Sequence, residues 1–258
     1  METTIFISCA LILSAFTFSF AGFGFGLVAV PLLALVLPVK DAVAIQLPFS
    51  VFLVLINSVR YGKSIKWNEL KPLFIGSAVA TPAGVYSLNL FPDTLMKRAL
   101  ALFVVLVILL ERRSKGQGKV GRFAHTGQGG VILGMISGWF HGAYTTGGPP
   151  AVIYATARFP EPSKAKGAMG IYFLVTDLLI VLLFTMTGLL TLELFFQSIR
   201  FTPAVLLGYG AGFTAGYPCG IRQKLRSICS RGLSGVPGSR SSRSMSTTSE
   251  LTVGALRK

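Results

Sequence analysis

The sequence predicts an all-α protein that crosses a lipid bilayer several times, and three observations lead to this prediction. Hydrophobic residues make up 52% of the 258-residue chain. Charged residues make up only 13% of it, about half of their share in soluble domains. The apolar residues also lie in long blocks. Because one soluble core could not bury so many apolar side chains, lipid must be the solvent for much of the chain.

Nine apolar blocks follow one another along the chain and define the predicted helices. A helix needs about 20 apolar residues to cross the hydrocarbon core of a bilayer. The second and seventh blocks are too short for this, so we expect about seven membrane-spanning segments and two short helices. We also expect the first block to be retained, because no basic residue precedes it as in a signal peptide. The blocks cover residues 5–20, 27–37, 42–59, 70–90, 95–110, 129–143, 151–157, 167–190 and 199–216.

Glycine and proline interrupt the chain immediately before each of the two short blocks. Gly22, Gly24 and Gly26 precede the first, and the Gly-Gly-Pro-Pro run at 147–150 precedes the second. Short helices after such breaks, at corresponding places in two halves of a chain, are typical of inverted repeats. The sequence therefore predicts two inverted repeats, each with a Gly/Pro-broken, re-entrant helix.

Small residues support this division. Residues with small side chains at steps of four let neighbouring helix backbones approach closely in lipid. Two such triplets are separated by 132 positions, and the glycines at the two short blocks by 122 positions. We place the repeats at about 4–110 and 127–220, within one membrane domain over residues 1–220. The matching positions are Gly76, Ala80 and Gly84 with Gly208, Gly212 and Gly216, and Gly26 with Gly148.

The connectors differ in charge, which predicts an orientation. Basic residues dominate the connectors at 60–71 and 111–126, and basic loops face the cytoplasm. The connector at 188–200 is the second-half counterpart of the first of these, and its charged residues are only Glu193 and Arg200. We expect it on the opposite side of the membrane, as inversion requires.

The last residues have a different composition. Residues 221–258 are rich in basic residues and serine and show little apolar periodicity, so we expect this tail to be disordered. The repeat would place another apolar helix here. The tail is either a native solvated segment or the product of a changed reading frame that replaces that helix. We favour the second interpretation, because without the helix the repeat is incomplete.

The two breaks predict an anion site near the middle of the membrane. Backbone that leaves the helical pattern at this depth must line a cavity. Each break precedes a helix whose N-terminus carries free N–H donors and a partial positive charge, and the alternative is that the glycines only permit close packing. The predicted substrate-binding residues are Gly24, Gly26, Thr145, Thr146, Gly147, Gly148 and Pro149.

Two ionisable residues accompany this site. Asp177 lies inside an apolar block, where a carboxyl group is costly and therefore a functional candidate. His141 lies six residues before Gly147 and belongs to the residue type that titrates near neutral pH. Either could couple proton movement to anion movement, or each could be structural. Gln46 and Asn57 are better explained as hydrogen-bonding partners between helices.

The segments around the two breaks resemble the paired signatures of the sulfite exporter TauE/SafE family. These segments are GFGFGLVAVPLL at 22–33 and GMISGWFHGAYTTGGPPAVIYATARF at 134–159. The resemblance extends over about residues 4–216, and the Gly-Gly-Pro-Pro run is its most specific part. It implies a transporter of small anions, notably sulfite, sulfonates or other organosulfur compounds, in the cytoplasmic membrane.

Other classes of function fit less well. The glycines at 22–26 lack the spacing and the preceding strand of a nucleotide-binding fingerprint, and Asp177 has no intramembrane acidic partner for proteolysis. No reader motif accompanies the net charge of +15, and no His or Cys pair has metal-ligand spacing. We therefore predict no enzyme activity, metal, cofactor or nucleic-acid partner.

The predicted function is that of a secondary permease working by alternating access. Its partners are a small anion, the lipid bilayer and a coupling ion such as a proton. The alternatives are a non-transporting membrane scaffold and an inactive, truncated transporter copy. The sequence indicates neither the particular anion nor an oligomeric state.

Overall fold

The computed structural model describes residues 2–62, 65, 67–113 and 123–215, and every regular element in these ranges is a helix. The basic tail predicted at 221–258 and the connector residues 114–122 lie outside the described residues. The helices are α1 (Glu2–Ala21), α2 (Phe25–Leu33), α3 (Val39–Tyr61), α4 (Trp67–Leu90), α5 (Asp93–Arg113), α6 (Gly127–Tyr144), α7 (Gly148–Arg158), α8 (Pro162–Met186), α9 (Leu192–Ile199) and α10 (202–215).

Four helices are long and apolar enough to cross a membrane, judged by length and composition: α1, α3, α4 and α8. The short helices α2 and α7 have nine and eleven residues, and each follows one of the predicted breaks. Helix α6 has 18 residues but is rich in glycine, which lowers its hydropathy. The membrane character and the all-helical class are thereby supported, while the expected total of about seven spans stays a prediction.

Helices α4 and α6 run parallel and in close contact. Three glycines spaced four residues apart in α6 leave room for the backbone of α4, because a Cβ atom at any of them would overlap that backbone. This is how small residues bring helices together where lipid removes the hydrophobic driving force. Gly134 faces the Leu73 carbonyl oxygen, Gly138 faces Ser77 and Gly142 faces the Thr81 carbonyl oxygen.

Helices α1 and α10 make a second contact of the same kind. Gly208 faces the carbonyl oxygen of Ile12, and Gly212 faces that of Phe16. Both residue numbers increase in the same direction, so these helices are also parallel. The glycines that the sequence paired as equivalents of Gly76 and Ala80 thus lie in a helix contact as well.

Helices α3 and α8 are antiparallel neighbours, and both carry buried polar side chains. Gly167 of α8 faces the carbonyl oxygen of Tyr61. Further along, the Ser50 hydroxyl of α3 donates to Asp177 Oδ2 of α8 at 2.8 Å. This pair brings polar groups from both halves of the chain to the same depth.

The connector at 188–200 contains a short helix, α9, that the apolar pattern did not predict. The side chain of Thr191 accepts a hydrogen bond from the Leu194 N–H at 3.3 Å and so caps the helix. Helix α9 is two turns long and amphipathic, and hydropathy blocks alone do not detect such an element.

Candidate functional site

The first break separates α1 from α2 and depends on glycine. Gly22 and Gly24 have φ angles of 84° and 88°, in the left-handed region where a side chain causes strain. The buried Asn57 amide donates to the Gly22 carbonyl oxygen at 2.7 Å. The aliphatic part of Lys166 packs against the same glycine. The break is therefore held by residues of α3 and α8.

The second break separates α6 from α7. Thr145 ends α6 with a φ of 51°, which is uncommon for a residue other than glycine. Its hydroxyl donates to the Tyr144 carbonyl oxygen at 2.6 Å and accepts a hydrogen bond from the Gln46 amide. Gln46 and Asn57 thus hold one break each, in line with their predicted role as partners between helices.

The two breaks touch each other. A Cβ atom on Gly26 would overlap the Thr145 carbonyl oxygen, so only glycine permits this approach. Beside the contact lies a small cavity of about 20 Å³, with room for about one water molecule. Its lining includes Gly24, Gly26, Thr145, Thr146, Gly148 and His141.

Five of the seven predicted binding residues line this cavity, and two do not. Gly147 lies behind it: its N–H donates to His141 Nδ1 at 3.4 Å, and its carbonyl oxygen accepts from the Ser137 hydroxyl at 2.6 Å. Pro149 is half-buried and outside the lining. The sequence located both breaks but did not distinguish the residues that face the cavity from those that support it.

Apart from His141, none of the residues that line the cavity is ionisable, and the other donors are neutral. Helices α2 and α7 both begin here without a side-chain hydrogen bond at the N-cap, so the positive ends of two helix dipoles meet. Pro149 and Pro150 carry no N–H, which leaves few backbone donors in the first turn of α7. A hydroxyl compensates: Thr146 is 1% exposed, and its Oγ1 has no hydrogen-bond partner among the described residues.

His141 and Asp177 form a buried pair next to the cavity. His141 Nε2 lies 2.7 Å from Asp177 Oδ1, and the side chains are 3% and 0% exposed. The second carboxylate oxygen accepts from Ser50, which also lines the cavity. The two ionisable residues that the sequence selected separately are therefore direct partners.

Sequence reasoning missed three polar residues of this region. Ser50 contacts Asp177, while the Tyr172 hydroxyl donates to Ser137 Oγ at 3.0 Å. A single serine or tyrosine in an apolar helix gives no sequence signal, and only the packing of α3, α6 and α8 brings these residues together. In the part of the chain that the structure describes, no group of three or more His, Cys, Asp or Glu side chains could hold a metal ion.

A comparison with protein families matches residues 6–226 to the family described as Sulfite exporter TauE/SafE. The matched range covers most of the chain, includes both breaks and ends shortly after the predicted boundary of the membrane domain. No curated protein and no solved structure matches the chain.

Proposed function

The chain belongs to the sulfite exporter TauE/SafE family of membrane transporters, and from this premise we propose that it is a secondary transporter of small anions in the cytoplasmic membrane. Sulfite, sulfonates and related organosulfur compounds are the proposed substrates. The observation that carries the proposal is the cavity at which the two broken helices meet.

The donors of the cavity suit a weakly held oxyanion. Such an anion is larger than the cavity of about 20 Å³, so its binding requires the residues around the two breaks to move apart. Two helix N-termini supply partial positive charge, and the unpartnered Thr146 hydroxyl supplies a donor. None of the residues that line the cavity is a lysine or arginine. A site whose permanent donors are neutral binds an anion without trapping it, because no lysine or arginine forms a buried ion pair that release would have to break. Such a site discriminates mainly by shape.

Reciprocal helix contacts support the proposed inverted repeats. In the contact between α4 and α6, Gly76 lies against Gly134. In the contact between α10 and α1, Gly208 lies against Ile12. Offsets of 122 and 132 positions convert the first contact into the second. Two halves related in this way can rock against each other around a central site, which is the geometry of alternating access.

The scaffold alternative predicts a different design. A scaffold gives no reason for an unpartnered hydroxyl that lines a cavity between two broken helices, and such a group costs about 1–3 kcal/mol unless something binds it. The two functions are separated by adding sulfite to the purified protein: a transporter with this site is stabilised against unfolding, because a ligand that binds only the folded state stabilises it, and a scaffold is not.

Exchange of radiolabelled sulfite in proteoliposomes tests the proposal directly. We expect wild-type protein to exchange sulfite, and Gly148→Leu to reduce exchange to the level of protein-free vesicles. The backbone of the break accepts a Cβ atom at Gly148, where the nearest atom is Phe23 Cδ2 at 3.7 Å. A leucine side chain is larger than the cavity and should exclude an anion from it.

Gly210→Leu is the matched control, since Gly210 is an exposed helical glycine with no atom within 4 Å of an added Cβ. It should exchange sulfite as wild type does. Undiminished exchange by Gly148→Leu would remove the site from the proposal. No exchange by the wild-type chain, together with no stabilisation by sulfite, would favour the scaffold or the inactive copy.

A further inference from the structure

A pair of neutral side chains could serve any structural purpose of the His141–Asp177 pair. It joins α6 to α8, and Asp177 is also bound to α3 through Ser50. Apolar side chains could hold these helices together at lower cost, because both groups lose their hydration in the protein interior. Ionisable side chains at such depth mark functional sites by default.

The hydrogen bonds around His141 indicate which nitrogen carries the proton. Nδ1 faces the Gly147 N–H, a group that can only donate, so Nδ1 acts as the acceptor. Nε2 then carries the hydrogen and donates to Asp177 Oδ1. A second proton can therefore be added only at Nδ1, on the side of the ring that faces the break.

Protonation at Nδ1 would place two donors opposite each other. The new Nδ1–H and the Gly147 N–H would point to the same region, and neither could accept from the other. An acceptor between or beside them relieves this conflict. His141, Thr146 and Gly148 line the same cavity, so an oxygen of a bound anion can accept from the imidazolium and from the break.

Apart from Asp177, the groups that face the His141 imidazole are not charged, so His141 is the residue that can take up the proton. From α8, Asp177 pairs with it, Phe173 packs against it with ring centroids 5.1 Å apart, and the Tyr172 hydroxyl is bound to Ser137. From α3, Ser50 and Val54 line the cavity, and neither is ionisable. The lining residues of α1, α2 and α7 are uncharged: Phe18, Phe25, Gly26, Leu27 and Gly148.

We infer that His141 binds a proton together with the transported anion, so that the chain moves anion and proton in the same direction. This inference rests on the proposed function and names the coupling ion of the same site. Loading forms an N–H bond at Nδ1 with a proton taken from water on one side. Unloading returns that proton to water on the other side and restores the Gly147 hydrogen bond. While His141 is protonated, the carboxylate of Asp177 balances the charge of the imidazolium.

Binding linkage makes the inference measurable. If one proton binds with each anion, proton and anion raise each other's affinity by the same factor. On the alkaline side of the profile, the KM for sulfite should therefore rise up to about tenfold per pH unit in wild-type vesicles. A glutamine at position 141 cannot be protonated, so the part of the rise in KM that is due to the protein should disappear.

The experiment compares sulfite exchange and net sulfite flux in proteoliposomes that contain a pH-sensitive dye. The variants are His141→Gln and the double variant His141→Gln/Asp177→Asn, which replaces the ion pair by two neutral amides. His125→Gln is the control, because His125 is exposed. Since sulfite itself gains a proton in this pH range, the contribution of the protein is the difference between wild-type and variant vesicles.

We expect wild type and His125→Gln to move protons with sulfite. The double variant should bind sulfite more weakly, because it lacks the imidazolium donor of the cavity. The exchange that remains at high sulfite concentration should show neither coupled proton movement nor the protein-dependent rise of KM. Equal proton movement and equal pH profiles in wild type and the double variant would overturn the inference and leave the proposed function intact. A double variant that folds but exchanges no sulfite even at high sulfite concentration would overturn it too, since the pair would then be indispensable to the site rather than a carrier of the proton. Absence of exchange in wild type would overturn both proposals.

Discussion

Two threonines carry the same unsatisfied group in different surroundings. The hydroxyls of Thr146 and Thr81 are both buried and have no hydrogen-bond partner within the described ranges. Thr146 lines the cavity and Thr81 does not. An unpaired buried hydroxyl destabilises the folded state by about 1–3 kcal/mol, so each residue should be replaceable by valine with little loss of stability or with a gain.

Replacing Thr146 by valine should therefore separate binding from stability. We expect Thr146→Val to unfold at the same temperature as wild type or higher in the absence of sulfite, and to lose most of the stabilisation that sulfite gives. Thermal unfolding of the purified protein, with and without sulfite, measures both quantities. Thr81→Val is the matched control and should keep the full effect of sulfite. Equal sulfite effects in the two variants would show that the Thr146 hydroxyl does not bind the anion.

How far the site could be predicted from sequence depended on the kind of residue. Glycine breaks and an aspartate in an apolar block stand out without any structure, so Gly26, Gly148 and Asp177 were selected in advance. Ser50 was not, because a serine in an apolar helix is ordinary. The Thr145 hydroxyl is hydrogen-bonded to the backbone and to Gln46, so Thr146 is the available donor. This difference depends on backbone dihedral angles, which composition does not determine.

At the scale of elements, the parallel pair α4 and α6 depends on the absence of side chains. A Cβ atom on Gly134 would overlap the Leu73 carbonyl oxygen, so the helices must separate to accept it. Gly134→Ala should destabilise the protein by about 1–3 kcal/mol, as overpacking does. Gly127→Ala in the same helix has open space and should be neutral or slightly stabilising. Thermal unfolding compares them, and equal unfolding temperatures would contradict the close contact.

The start of α3 is joined to the start of α5 by a carboxylate. Asp93 Oδ1 accepts from the Val39 N–H at 2.7 Å, and Lys97 Nζ lies 3.1 Å from Oδ2. Partial burial of the carboxyl group acts to raise its pKa, but the Val39 N–H, Lys97 and Lys40 together lower the pKa of Asp93 below its usual value. Asp93 therefore stabilises the folded state while it is ionised.

This lowered pKa predicts a pH dependence. A group whose pKa is lower in the folded state stabilises the protein above its unfolded pKa, and this stabilisation is lost as the pH falls through the folded pKa. Asp93→Asn should lower the unfolding temperature at pH 7, and the difference from wild type should shrink below about pH 4. Thermal unfolding at several pH values measures it. Lys97→Met keeps the Val39 hydrogen bond and should lower the unfolding temperature less than Asp93→Asn does. If the difference in unfolding temperature between wild type and Asp93→Asn stays the same at low pH, the charge-based explanation is refuted.

At the scale of the whole molecule, the sequence predicted the helical class, the membrane character and the family, because hydropathy and the glycine motifs are local signals. It did not predict α9, which is short and amphipathic. It also did not predict that α4 packs on α6, although Gly130, Gly134, Gly138 and Gly142 lie at steps of four. Which helix such a stripe contacts depends on the arrangement of the whole bundle, and no local pattern contains that information.

The proposed inversion of the repeats makes a prediction about the two faces of the membrane. If the halves are inverted, the connector before α4 and the connector that contains α9 lie on opposite sides. Lys71, near the start of α4, and Glu193, in α9, are exposed residues beside these connectors. Each can be changed to cysteine in a chain whose three native cysteines are replaced by serine. A membrane-impermeant maleimide should label Glu193→Cys in intact cells, because that connector carries few basic residues and faces outward. It should label Lys71→Cys only after the cytoplasmic side is opened. Labelling of both positions from the same side would exclude the inverted arrangement. It would also exclude alternating access around the central site, and the contact between the two breaks would need another explanation.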